Sequence, residues 1–165
     1  MFERVGGLIM TERDILRHCL AILAYRCGKF IRSAPASFAG YDTGGGTTPL
    51  RILSHISDLL DWALSMSRGA GRWAAATPSD WGSEVMRFHA ALAALDNYYA
   101  SEEPIRAEVP RLLQGPIADA LTHVGQIAML RRMADAVVIG ENYFVADIVA
   151  GRVGPEQTPP RKPFQ

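Results

Sequence analysis

The sequence predicts an all-α protein, a four-helix bundle with a Gly/Pro-rich C-terminal tail. Three observations carry the bundle. Four segments place apolar residues at helical spacing, the stretches between them are rich in Gly, Pro and Ser, and none alternates convincingly as a strand. At 165 residues the chain suits a single domain that can bury a real core. That domain is expected over residues 1–165, with its core at 11–150 and a loose tail at 151–165.

The first helix is expected to begin at Thr11, where Thr-Glu-Arg-Asp reads as an N-terminal cap, and to carry a stripe of Leu16, Leu20, Leu23, Cys27 and Phe30. Ser33 to Thr48 reads as a long loop. Its Gly44-Gly45-Gly46 lacks the Gly-Lys-Ser/Thr that would reach a nucleotide's phosphates, so a flexible loop explains the glycines. Thr48-Pro49 combines a capping hydroxyl with proline at the first helical position, which starts a second helix running to Met66. The third starts near Ser79 or Asp80 and repeats Trp81, Val85, Phe88, Leu92, Leu95 and Tyr99 at the three-four alternation of a bundle seam. After a break at Gly115-Pro116, the fourth runs from Ile117 to Ala136. Val137-Val138-Ile139 is the one competing strand. In the tail, Tyr143 to Val149 is placed to dock on the bundle, and the chain past Gly154 is expected to be loose.

Composition narrows the function classes. Seventeen basic residues balance seventeen acidic ones, for a pI near 6.9. A nucleic-acid binder concentrates positive charge to displace counterions, whereas the basic clusters here are only the pairs Arg131-Arg132 and Arg161-Lys162. No nucleic-acid partner is expected. The longest apolar stretches, around Cys19–Tyr25 and Ala134–Gly140, fall short of the roughly 20 residues that cross a bilayer. The mixed charge of Met1-Phe2-Glu3-Arg4 predicts no signal peptide. Cys19 and Cys27 lie eight apart on one helix, about 12 Å along its axis, too far for a disulfide. They read as buried free thiols of a cytoplasmic protein.

The informative residues are polar groups on apolar faces. At 100° per residue the fourth helix aligns Pro116, Asp119, His123, Gln126, Ile127, Leu130 and Ala134, while the second aligns Ile52, His55, Leu59, Trp62 and Met66. Two imidazoles and a carboxylate are therefore expected to point inward. An i, i+4 pair converges on one point, and a third ligand from a facing helix completes a three-ligand N/O metal site with an open position. A hydrogen-bonded Asp119–His55 or Asp119–His123 core pair without metal is the competing reading, because a buried carboxylate must be compensated somehow. His18 and His89 fall at the edges of their stripes and read as partly exposed or hydrogen-bonded residues. Trp62, Trp73 and Trp81 read as packing residues, with Trp62 placed to line a pocket above His55.

Leu53-Ser54-His55-Ile56-Ser57-Asp58-Leu59-Leu60 and Leu121-Thr122-His123-Val124-Gly125-Gln126-Ile127 resemble the two signature segments of DinB-like proteins of the DinB/YfiT superfamily. Through the order and length of the helices the resemblance extends over residues 11–150. It implies a metal site of one histidine from the second helix and a His-x-x-x-His pair from the fourth. His55 matches the first ligand and His123 the last, while the middle position carries Asp119. Aspartate ligates zinc, nickel or manganese through oxygen, so the departure gives a harder and more negative site. Relatives in that family include mycothiol-dependent isomerases and bacillithiol transferases. The resemblance thus implies a metal-dependent hydrolase or thiol transferase acting on a small molecule or thiol. Gln126 would orient a ligand or substrate and the loop Ser33–Thr48 would wall the entrance. A small-residue surface of Ala120, Val124, Gly125 and Ala128 would serve close helix packing or a homodimer. The alternative from another class is a non-catalytic bundle, binding a small ligand or a partner, in which His55, Asp119 and His123 close a buried polar network.

Overall fold

The structure, a computed structural model, describes residues 10–164. The Met1–Arg4 start, where no leader is expected, lies outside the described residues. Three long helices come first: α1 (Glu12–Ile31), α2 (Pro49–Ser67) and α3 (Trp81–Ala100). A short α4 (Val109–Leu112) leads through a π turn (Leu113–Ile117) into the fourth long helix, α5 (Ala118–Met133). The four long helices form an all-α bundle in which α2 packs on both α3 and α5, and α1 packs on the same two from the other side.

The helix starts follow their capping residues. Thr11 forms a full capping box with Asp14, its hydroxyl accepting from Asp14 N at 3.2 Å while its own N–H donates to the Asp14 carboxylate at 2.9 Å. Thr48 caps α2 ahead of Pro49, and Asp80 caps α3 through Ser83 N at 3.0 Å. The apolar stripes then meet in one core. Leu16, Leu20, Leu23 and Cys27 of α1 face Ile52, Leu53, Ile56 and Leu60 of α2, Phe88, Leu92, Leu95 and Tyr99 of α3, and Ala120, Val124 and Ile127 of α5. Phe30 is only half-buried, and Ile31 completes the α1 stripe instead.

Several expectations are corrected. The fourth helix does not start afresh at Ile117. Its path begins at Val109 and is kinked at Gly115, whose φ −89 and ψ −106 leave the helical region. Pro116 contributes no N–H and its ring crowds the preceding turn, so the helix bends there and the mismatch is absorbed as a π turn. Its far end stops at Met133 rather than Ala136. Among the described residues Val137-Val138-Ile139 forms no strand, and the one bridge pairs Glu141 with Pro163.

The tail past Gly154 is not loose. Asn142 N donates to Lys162 O at 3.0 Å and Phe164 N to Gly140 O at 2.9 Å. Gln157 Nε2 donates to Gly154 O at 2.8 Å, and Thr158 Oγ1 to Asp147 O at 3.1 Å. These bonds fold the tail back on itself. Within it, Glu141 reaches α1, accepting from Tyr25 Oη at 3.0 Å and pairing with Lys29 at 2.6 Å, while Tyr143 lies under the Arg26 guanidinium.

Cys27 is buried, Cys19 half-buried, and both are free thiols whose pKa burial pushes up. No described helix is long and apolar enough to cross a membrane. The small-residue surface of α5 is divided: Ala120 and Val124 are spent on the chain's own core, leaving Gly125 and Ala128 on a groove toward Phe164.

Two polar ties hold the helices of the bundle together. Arg17 of α1 grips Asp96 of α3 through two bonds, at 2.9 and 3.1 Å. Arg87 of α3 bonds the buried Asp58 of α2 and Asp61, and Asp58 in turn accepts from Ala76 N at 3.2 Å. Asp58 thereby fixes residues 68–80 against α2. Replacing it leaves the Ala76 amide without its acceptor and takes one carboxylate from the Arg87 guanidinium, which keeps Asp61 and Glu84. Asp58→Ala is expected to cost about 1–3 kcal/mol by urea denaturation.

His89 supplies a pH dependence. Its Nδ1 donates to Val153 O at 3.2 Å, yet burial outweighs that bond and pulls its pKa below the ordinary 6.5. The folded state therefore binds this proton less readily than the unfolded chain does. The resulting stability is fully present above the unfolded value of 6.5 and is lost as pH falls below it, through the folded value. Unfolding free energies measured at about pH 5 and about pH 8 should differ less in His89→Gln than in the parent chain.

Candidate metal centre

The three residues singled out on α2 and α5 meet. Asp119 and His123 stand one turn apart on α5, with Asp119 Oδ1 at 3.4 Å from His123 Nε2. Across the helix pair, His55 Nε2 lies 3.9 Å from Asp119 Oδ2. The His55 and His123 rings stand nearly perpendicular, at 88° with centroids 4.8 Å apart. One ligand atom from each of the three falls within 4.8 Å of the others.

Their depth is not as expected. The side chains of His55, Asp119 and His123 are 38%, 49% and 21% exposed, so the group sits at the rim of the α2–α5 seam rather than in the core. The helical wheel explains the offset. The buried face of α5 is centred on Ala120, Val124 and Ile127, which rotates Asp119 and His123 to its edge. On α2, Ile52, Leu53 and Ile56 take the interior and His55 the margin. A closed, buried polar network is thereby corrected to an open one. A half-exposed carboxylate remains solvated and does not require the two imidazoles to offset its burial.

Gln126 sits where the sequence places it, beside His123. Its Oε1 lies 2.7 Å from His123 Nδ1. An amide oxygen only accepts, so Nδ1 carries the proton and Nε2, the atom facing Asp119, presents its lone pair. Fixing the outer nitrogen in this way is what a neighbouring group does for an imidazole that must ligate.

Trp62 does not cover His55 directly. Trp73 does, with ring centroids 5.7 Å apart, and Trp62 stacks edge-on behind Trp73 at 5.6 Å. Trp73 carries no signal in the sequence beyond being aromatic, because it lies in an Ala- and Gly-rich connection with no periodicity. It is 45% exposed and forms an apolar wall on one side of the histidines. Beside His55 opens a cavity of about 240 Å³ bounded by Arg51, Ser54, Asp58, Ala76 and Pro78. Its wall therefore comes from residues 68–80, and not from Ser33–Thr48, which instead packs Phe38 against Trp81. His89 is held by the Val153 carbonyl, as a hydrogen-bonded edge residue should be, and His18 is half-buried.

The donor set suits a divalent cation. Two ligands at about 2.1 Å from one ion lie up to about 4.2 Å apart. The Asp119–His separations, 3.4 Å from Oδ1 to His123 and 3.9 Å from Oδ2 to His55, are inside that span, while the whole set spreads over up to 4.8 Å and must draw in by a few tenths of an ångström to close on one ion. Two neutral imidazoles with one carboxylate is a set that zinc, nickel and manganese accept.

No family model, no curated protein and no solved structure matches this chain. The resemblance to DinB-like proteins rests on the segments around His55 and His123.

The hydrogen bond to Gln126 makes a spectroscopic prediction. Long-range ¹H–¹⁵N spectra of the metal-free protein, taken above the imidazole pKa, should show His123 as the Nδ1–H tautomer. In Gln126→Ala that signature should shift toward the tautomer mixture of a free imidazole.

Proposed function

We propose that this chain is a DinB-like protein that holds one divalent metal, zinc or nickel in preference to manganese, at His55, Asp119 and His123, and that it is a metal-dependent hydrolase or thiol S-transferase. The observation that carries the reading is the convergence itself. Three ligand-type side chains from two helices, separated by more than 60 positions in sequence, bring one donor atom each within 4.8 Å of the others. Two imidazoles and a carboxylate converging on one point are the donor types and the arrangement with which a divalent cation is held.

A divalent cation held by two histidines and a carboxylate, with a position left open, supplies Lewis acidity that makes a bound water or thiol more acidic. The residues around it do the rest. His123 presents Nε2 because Gln126 holds Nδ1, and Asp119 brings a negative charge that the histidine at the corresponding family position lacks. Trp73 gives the organic part of a substrate an apolar surface against the ligand plane, and Asp58 keeps that surface in place through Ala76. The half-exposed rim position leaves a small electrophile or thiol free to approach from solvent. Free Cys19 and Cys27 suit the reducing cytoplasm in which thiol cofactors operate. A homodimer, which the resemblance also implies, would draw on Gly125 and Ala128 rather than on the buried Ala120 and Val124.

Protein purified without an affinity tag should carry close to one divalent metal per chain by elemental analysis, and His55→Ala and His123→Ala should carry none. Asp119→Ala should weaken zinc binding by more than the roughly 10- to 100-fold that loss of a group supporting a ligand costs, whereas Asp119→His should retain or tighten it. Failure to load under any divalent metal would refute the proposal, and equal binding by Asp119→Ala would remove Asp119 from the ligand set.

A further inference from the structure

A second polar site lies at the other end of α5, where α1 and the folded-back tail enclose a cavity of about 290 Å³. Arg131 lines it and is only 5% exposed, yet its Nε and Nη1 have no hydrogen-bond partner among the described residues. The face of its guanidinium is met by the Phe38 ring, 5.4 Å from Cζ, but an aromatic face does not satisfy N–H groups at the edge. Burial pulls its pKa down, and no carboxylate acts in the other direction. Leaving a guanidinium buried and unpaired costs several kcal/mol unless something completes it.

The rest of the lining indicates what completes it. Lys29 and Arg32 bring two further positive charges to the same cavity, while the one carboxylate there, Glu141, is already bound by Tyr25 and Lys29. Arg32 also donates to Pro155 O at 3.0 Å, which ties the tail to the end of α1. Val137, Val138, Pro159 and Pro160 supply the apolar part of the lining. The volume is at the lower end of those that enclose small molecules, about 300–1,000 Å³.

We propose that this cavity binds a small organic acid, its carboxylate on Arg131 and its apolar body against Val137, Val138 and the two prolines. A planar guanidinium matches a carboxylate as a two-bond fork, Nη2 together with either Nε or Nη1, so one acid gives one of the two unpaired groups of Arg131 its partner. Arg32 at the rim adds attraction on entry. The site is independent of the metal: Arg131 is eight residues from His123, about 12 Å along α5.

The test uses the full chain at constant ionic strength, with hexanoate as probe, its neutral amide hexanamide as control, and inorganic phosphate as a second anion. Hexanoate should raise the unfolding temperature saturably and hexanamide should not. Arg131→Met, which replaces an unpaired buried cation by an apolar chain, should fold at least as well as the parent and bind hexanoate about tenfold or more weakly. Arg32→Gln, an exposed change that leaves the core untouched, should weaken binding by a smaller factor and keeps the test decisive if Arg131→Met does not fold. No stabilisation by hexanoate, or equal stabilisation by hexanamide, overturns the proposal. Stabilisation by phosphate alone overturns the organic-acid assignment, and undiminished hexanoate binding in Arg131→Met overturns the role of Arg131.

Discussion

The packing of α2 against α5 is the constraint on which the rest depends. Ile52, Leu53 and Ile56 on one helix and Ala120, Val124 and Ile127 on the other bury their side chains almost completely. The small side chain of Ala120 lets the helices approach closely at the level of the candidate centre. His55 is the immediate neighbour of Ile56, and His123 of Val124. The depth of the buried residues therefore sets the spacing of the polar ones, and closure of the hydrophobic seam brings His55 to Asp119 and His123.

The bundle itself was legible because helical period and capping chemistry are local signals. Thr11, Thr48 and Asp80 begin their helices for the same reason in sequence and in structure: a side-chain oxygen meets an otherwise unpaired backbone N–H. Gly115-Pro116 was legible only as an interruption. Whether such a pair ends a helix or bends it depends on whether the preceding segment has core to join, and the buried Leu112 supplies it.

The site was legible in its members but not in its depth. A stripe containing Ile127 and Leu130 drew Asp119 and His123 into the interior. Ala120 and Arg131, which weigh little or negatively in a hydrophobic pattern, in fact share the buried face with Val124. Arg131 is the clearest case: half of an Arg-Arg pair reads as surface charge, yet the fold buries its side chain against Phe38. Trp73 and the tail beyond Gly154 were missed for another reason. What holds them is isolated contacts, Trp73 on His55 and Trp62, and scattered backbone and side-chain bonds to carbonyls in the tail, which leave no period to detect.

The most direct test of the central claim is anomalous diffraction at the zinc absorption edge from zinc-loaded crystals. The account predicts one strong peak between α2 and α5, within about 2.0–2.2 Å of His55 Nε2, a carboxylate oxygen of Asp119 and His123 Nε2. A peak elsewhere on the chain, or none while these three side chains keep their mutual distances, would contradict it.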